Sequence, residues 1–364
     1  VTQTDPWTTR RLLAWIGEAF TKASLDSPRL SAELLVAHVL YPSAAAIQND
    51  DARPAQKPSR TLASTSARTP TRVRTTDSRL RLYTDADRPA SADELATLRG
   101  LVARALKHEP IQYLVGEGWF FAMPFVVDRR VLIPRPCTEG IVEHLVQAFR
   151  PRRDASDAAT TTDQPETSDA AAPTGAQTPA DAPDAPPRVL IADVCTGSGC
   201  IGVALARNIP GAELLATDLS PDALELARIN AERLGVSERI TFAQGHLLEP
   251  ARAHRERVGR AFDAIVANPP YIPDHEWADV APNVRLHEPE LALRAGADPL
   301  SLVGPIVDGA WELLTPGGTL MVELAACSAR DALQRANATG RYAACRIVKD
   351  LEGLERFVLC TARG

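Results

Sequence analysis

From Arg188 onward, strongly apolar segments alternate with amphipathic ones, and this alternation most restricts the fold. RVLIADV, AELLATD, RITFAQG, FDAIVANPP, GTLMVELA, CRIVKD and RFVLCTA read as strands. GCIGVALARN and PDALELARINAERLG read as helices between the first three. Strands that are apolar along their whole length are covered on both faces. The expected class is therefore α/β, a mostly parallel sheet flanked by helices, with ligand at the carboxyl ends of the strands.

The part before Arg188 is different. Leu12, Leu13, Ile16 and Phe20 recur at helical spacing, as do Leu30, Leu34, Leu35, Val39 and Leu40. Ser91 with Glu94 three residues later predicts a capping box, opening a helix that carries Leu95, Leu98, Val102 and Leu106. The run WFFAMPFVVDRRVLIPRP predicts a β-hairpin turning at Asp128-Arg129-Arg130, followed by a helix from Thr138 to Phe149. Two stretches break this order: a Pro/Ser/Thr/Arg-rich one at about 43–79 and an acidic Ala/Asp/Pro/Thr-rich one at 151–187. Neither offers enough apolar surface to offset the entropy of ordering, so both are expected to be disordered, passive insertions. The expected domains are a helical one at 1–110, a hairpin with its connecting helix at 111–150, the acidic linker at 151–187, and the α/β domain at 188–364.

Charge and cysteine content narrow the function classes. A net charge of −6 and a pI near 5.7 argue against nucleic-acid binding through a broad basic surface. The six cysteines form no Cys-x-x-Cys pair, so no zinc ribbon or disulfide scaffold is expected, and no metal. No apolar run approaches the ~18–20 residues of a membrane helix, and Val1 to Arg10 lacks the apolar core of a secretory signal. The expectation is a cytoplasmic protein without membrane contact, and a monomer.

Two motifs carry the chemistry. Asp193-Val194-Cys195-Thr196-Gly197-Ser198-Gly199 follows the first strand, and with Gly202 it reads Gly-x-Gly-x-x-Gly. Such a turn lets backbone approach a ligand at a helix N-terminus. The second strand ends in Asp218, 19 residues after Gly199, where a carboxylate grips a pair of ribose hydroxyls. Ser220 is the better cap for the helix beginning at Pro221. The other motif, Asn268-Pro269-Pro270-Tyr271, ends the strand FDAIVA, because Pro-Pro cannot continue a strand. The Asn268 carboxamide and the Pro269 carbonyl can accept hydrogen bonds from a planar NH₂, and the Tyr271 ring can cover its π-face.

The loop DVCTGSGCIGVALA, the segment ATDLSPDALELARINAERLG and FDAIVANPPYIP together resemble a class I S-adenosylmethionine-dependent methyltransferase. HEPIQYLVGEGWFFAMPFVVDRRVLIPRPCTEGIVEHL, NVRLHEPELAL, LLTPGGTLMVEL and GLERFV narrow the resemblance to the peptide chain release factor glutamine methyltransferases, the PrmC/HemK family. The resemblance implies a Rossmann-like domain with a mostly parallel seven-stranded sheet, behind a helical substrate-recognition domain. It gives Cys195, Thr196, Gly197, Ser198 and Gly199 the methionine end of S-adenosyl-L-methionine, and Asp218 its ribose. Leu247 falls beside the adenine. Asn268, Pro269, Pro270 and Tyr271 hold the substrate glutamine, with Asn268, Pro269 and Tyr271 as the catalytic set and Asn268 also bordering the cofactor.

Three positions depart from the family pattern. Cys195 stands where Gly is usual and is expected to fit without positive φ. His246 replaces an acid that would face the adenine amino group. Glu323-Leu324-Ala325 replaces Glu-x-Gly, a change expected to be tolerated. The substrates weighed are a release-factor glutamine in a Gly-Gly-Gln loop, a ribosomal-protein glutamine, and a DNA adenine flipped from its stack. A non-catalytic cofactor-binding protein is the fourth reading. The IPRP-x-TE run, Ile133 to Glu139, favours the release factor. No general acid or base is expected, and His108, His246 and His287 are read as structural.

Overall fold

The computed structural model describes residues 6–42, 75–150 and 188–364. The acidic linker at 151–187 and most of the insertion at about 43–79 lie outside these residues. The end of that insertion is corrected, because a helix already begins at Thr75. Leu82 is buried there, and Arg79 pairs with the buried Glu33 at 2.5 Å. The ion pair of Arg79 ties down the last residues of the stretch that composition alone reads as unfoldable, and Leu82 lies just beyond it.

The chain starts with α1 (Thr9–Lys22), α2 (Pro28–Leu40), α3 (Thr75–Thr84), α4 (Ala92–Ala105) and the short α5 (Ile111–Val115). Their apolar faces meet in one core containing Leu12, Ile16, Phe20, Leu35, Leu82, Leu98 and Val102. The capping box forms as expected: the Glu94 N–H donates to Ser91 Oγ at 3.2 Å, and the Ser91 N–H to Glu94 Oε2 at 2.8 Å.

The hairpin is β1 (Glu117–Phe120) with β2 (Met123–Val126), so its turn lies at Phe121–Ala122 and not at Asp128–Arg130. Both turn residues take positive φ, 48° and 57°, as a type I′ turn requires. The Glu139 carboxylate supports it by accepting the Phe121 N–H at 2.7 Å. Asp128 makes a separate local turn, accepting the Arg130 N–H at 3.0 Å. That bond ends the extended run and leaves VLIPRP outside any strand.

The remaining elements are α6 (Glu139–Ala148), β3 (Val189–Val194), α7 (Cys200–Asn208), β4 (Ala212–Asp218), α8 (Pro221–Arg233), β5 (Ile240–Gln244), α9 (Glu249–Val258) and β6 (Phe262–Ala267). They continue through β7 (Ile272–Pro273), α10 (Pro282–Arg285), β8 (Arg294–Gly296), α11 (Val303–Gly309), β9 (Leu314–Glu323), α12 (Ala329–Ala338), β10 (Tyr342–Lys349) and β11 (Glu355–Ala362). The seven-stranded sheet has the order β10-β11-β9-β6-β3-β4-β5. Strands β9, β6, β3, β4 and β5 run parallel, and β11 is antiparallel to both of its neighbours. The pairing of β10 with β11 slips at Tyr342/Ala344 and again at Val348/Lys349. β3 is buried at all six positions, as a strand covered on both faces must be. After β5 the chain returns to the other side of β3, so the order reverses between β3 and β6, where open α/β sheets bind ligands.

The chain divides into two compact units. One comprises 1–118, 126–133 and 276–290, and the other comprises 119–125, 134–275 and 291–364. Among the described residues no helix is long and apolar enough to cross a membrane.

Ala122→Gly removes a side chain from a left-handed position. It is expected to stabilise the fold by about 0.5–1 kcal/mol, read as a raised midpoint in thermal denaturation.

Candidate active site

The register of the parallel strands builds the site. Thr217 of β4 lies beside Val194 of β3, Val194 beside Ala267 of β6, and Ala267 beside Val322 of β9. The next residue in each strand's course is Asp218, Cys195, Asn268 and Glu323. Both sequence motifs therefore leave the sheet at one edge, from neighbouring strands.

The turn after β3 is tied down on every side. The Thr196 N–H donates to the Thr217 carbonyl at 2.8 Å, and its hydroxyl to Asp193 Oδ2 at 2.6 Å. The Gly197 N–H donates to Asp218 Oδ2 at 2.8 Å, which joins the loop to the acid at the end of β4. The Ser198 carbonyl accepts from Asn230 Nδ2 at 2.9 Å. Gly199 caps α7 at φ 79°, where an added Cβ would lie 3.1 Å from Ala227 Cβ. Only glycine meets both demands. Cys195 corrects the expectation made for it: its φ is 61°. Thr196 beside it is anchored through both backbone and hydroxyl, and the reversal falls on Cys195. Burial, then the charges of Asp218 and Asp193, push its thiol well above the usual range.

Two carboxylates sit beneath this turn. Asp193 is fully buried, accepts the Gly202 N–H at 2.9 Å, and leaves Oδ1 without a hydrogen-bond partner. Burial pushes its pKa up to about 7. Asp218 is also raised by burial, against the N–H groups of Ser220 and Gly197 that favour its charge. Ser220 caps α8, accepting the Ala223 N–H at 3.2 Å. Asp218 is thus left outside the helix. Beyond β5, the Gly245 N–H donates to the Asp218 carbonyl at 3.0 Å, and Leu247 follows, buried at φ 46°. His246 is exposed, and its N–H faces Glu249 Oε2 at 3.3 Å.

At the end of β6, Pro269 is buried while Asn268, Pro270 and Tyr271 are half-buried. Asn268 Nδ2 donates to Thr138 Oγ1 at 3.2 Å. The Tyr271 hydroxyl and the Cys137 thiol both point to Glu323 Oε1, at 3.5 and 3.6 Å. Glu323 is fully buried, its Oε2 has no hydrogen-bond partner, and burial raises its pKa. Sequence reasoning assigned no role to Thr138, Cys137 or Glu323. The signal for Thr138 was present, since IPRP-x-TE ends in Thr138-Glu139.

Residues 181–296 match the methyltransferase small domain, and residues 74–116 match the PrmC N-terminal domain. A release factor glutamine methyltransferase of Chlorobaculum tepidum is 35% identical, with 98% of each chain covered. The chain belongs to the release factor glutamine methyltransferase family. The relative from Rhodopirellula baltica is 31% identical over 97% of this chain and 96% of its own. That of Geobacter sulfurreducens is 38% identical over 77% of this chain and 83% of its own.

Asp193 holds its proton more tightly folded than unfolded, so its contribution to stability is present below about pH 4 and lost as pH rises towards 7. The loss is at most about 1.4 kcal/mol per pH unit. Asp193→Asn is expected to flatten this fall when urea midpoints are compared between pH 4.5 and 7.5.

Proposed function

We propose that the chain transfers a methyl group from S-adenosyl-L-methionine to the side-chain amide nitrogen of the glutamine in the Gly-Gly-Gln motif of peptide chain release factors. The observation that carries this reading is the Asn268–Tyr271 loop, which leaves the sheet beside the glycine turn in a chain whose full-length relatives are named for this reaction. On this reading the partners are release factors, met in the cytoplasm.

The residues present suit the cofactor. Gly197, at φ 54°, has open space where a Cβ would be, so backbone can approach a ligand there. The buried, unpartnered Asp193 Oδ1 suits an ammonium donor, and Asp218 at the neighbouring strand end suits a ribose diol. Cys195 to Gly199 would hold the methionine end, and Leu247 would lie against the adenine. When bound, the cofactor supplies an electrophilic methyl group on a sulfonium sulfur.

The protein's own part is alignment. A glutamine amide nitrogen is a weak nucleophile because its lone pair is delocalised into the carbonyl. Asn268 Oδ1 and the Pro269 carbonyl would accept the two amide hydrogens, fixing the NH₂ plane and raising electron density on nitrogen. Pro270 shapes the loop, and the Tyr271 ring covers the amide face. Orientation and preorganised dipoles lower the barrier together. The N-methylated amide cation is strongly acidic, so its proton leaves to solvent without a dedicated base.

Asn268→Ala is expected to lower the transfer rate by about 100- to 1000-fold while cofactor affinity stays close to wild type. Labelled methyl transfer to a purified release factor measures the first, and calorimetry the second. Wild-type turnover in this variant, or labelling that survives replacement of the substrate Gln by Glu, overturns the reading. Asp218→Ala should weaken cofactor binding by about 1.5–3 kcal/mol, since it removes hydrogen bonds to a charged group. Unchanged calorimetric affinity would take Asp218 out of the site.

A further inference from the structure

The consecutive residues Cys137 to Gly140 each meet a different part of the site's surroundings. The Cys137 thiol lies 3.6 Å from Glu323 Oε1 at the end of β9, and Thr138 Oγ1 lies 3.2 Å from Asn268 Nδ2 beyond β6. Glu139 Oε1 accepts the Phe121 N–H at 2.7 Å in the hairpin turn. At Gly140 an added Cβ would come within 3.0 Å of the Phe357 ring, so the start of α6 is seated directly on β11. Glu139 is the member of this run that faces the hairpin, and its neighbour Thr138 is the one that faces Asn268.

The hairpin turn needs such a partner. Phe121 and Ala122 both occupy the left-handed region, at φ 48° and 57°, although each carries a side chain that disfavours it. Conformations of this kind persist where surrounding groups over-determine them. Packing supplies one restraint: Phe120, Met123 and Phe125 are buried, with the Phe120 and Phe125 rings edge to face at 6.1 Å. The Glu139 carboxylate on the first central N–H supplies another. Residues 119–125 accordingly group with the unit that holds Asn268, while 126–133 group with the other.

We propose that Glu139 is a positioning residue for methyl transfer: bonded to the Phe121 N–H of the hairpin turn, it holds its neighbour Thr138 against the Asn268 carboxamide. This rests on the function proposed above. Glu139 acts through one peptide bond, and reach is what the role requires, since the acceptor must sit on a side chain long enough to meet the Phe121 N–H. As the first residue of α6, an acid here also complements the helix dipole, and that role requires charge and not length. Substitution separates the two requirements.

The test compares Glu139→Asp, which keeps the charge and is one methylene too short, with Glu139→Gln, which keeps an acceptor oxygen at full reach and loses the charge. On a purified release factor at saturation, Glu139→Asp should lower kcat about tenfold, the scale of one lost hydrogen bond, while calorimetric cofactor affinity stays at wild type. Glu139→Gln should keep kcat within about threefold of wild type. A role at the helix end alone gives the opposite order. Thr138→Val should lower kcat as well, and the Thr138→Val, Glu139→Asp double variant should be within about threefold of the worse single one, because both substitutions break the same path to Asn268. Unchanged kcat in Glu139→Asp, a greater loss in Glu139→Gln than in Glu139→Asp, or losses that multiply in the double variant overturn the proposal. Unchanged cofactor affinity shows that the sheet and its glycine turn are intact, and a fall of affinity in step with kcat in Glu139→Asp overturns the proposal too. A wild-type chain that fails to label the release factor overturns the functional reading instead.

Discussion

Four parallel strands end level with one another, and everything proposed for this chain depends on that register. Hydrogen bonding between β4, β3, β6 and β9 places Thr217, Val194, Ala267 and Val322 side by side. A slip of one residue would turn the side chains of that strand to the opposite face. Asp218, the glycine turn, Asn268 and Glu323 would then no longer emerge together, although each local sequence would be unchanged. The apolar faces of β3 and β6, buried against helices on both sides, are what hold the register.

The buried carboxylates divide by how their oxygens are satisfied. In the helical unit, Glu33 is buried, but donors from Tyr83, Arg79 and Arg29 outweigh burial and pull its pKa down. Glu109 is pulled to about 2, chiefly by Arg104 with Arg129 adding to it. Both behave as structural anions whose partners repay desolvation. Asp193 and Glu323 each keep one oxygen without a partner, and both are shifted upward by burial. Unmet hydrogen-bonding capacity of that kind is costly in a core and is characteristic of a functional site.

Periodicity made the α/β sheet legible, because strands buried on both faces have to be apolar throughout. Proline and glycine marked where the chain leaves the sheet, which is why the loops around Gly197 and Asn268 could be read directly. The hairpin was misplaced because its turn uses Phe121 and Ala122, residues with no turn signature, held by a carboxylate 18 positions away. The positive φ of Cys195 was hidden for a similar reason, since the restraint comes from Thr217 and Asp193 through Thr196. Thr138 and Glu323 lie 185 residues apart in sequence, and only folding brings Thr138 against Asn268 and Glu323 against Tyr271.

The slipped pairing of β10 with β11 bears on a different matter, the behaviour of the sheet's margin. A regular outer strand exposes a ladder of unpaired amides onto which a second copy can add. β10 is interrupted near both ends and carries the exposed cations Arg346 and Lys349. At the opposite margin β5 is only five residues long. Irregularity and like charge at one border, and brevity at the other, discourage growth of the sheet from molecule to molecule.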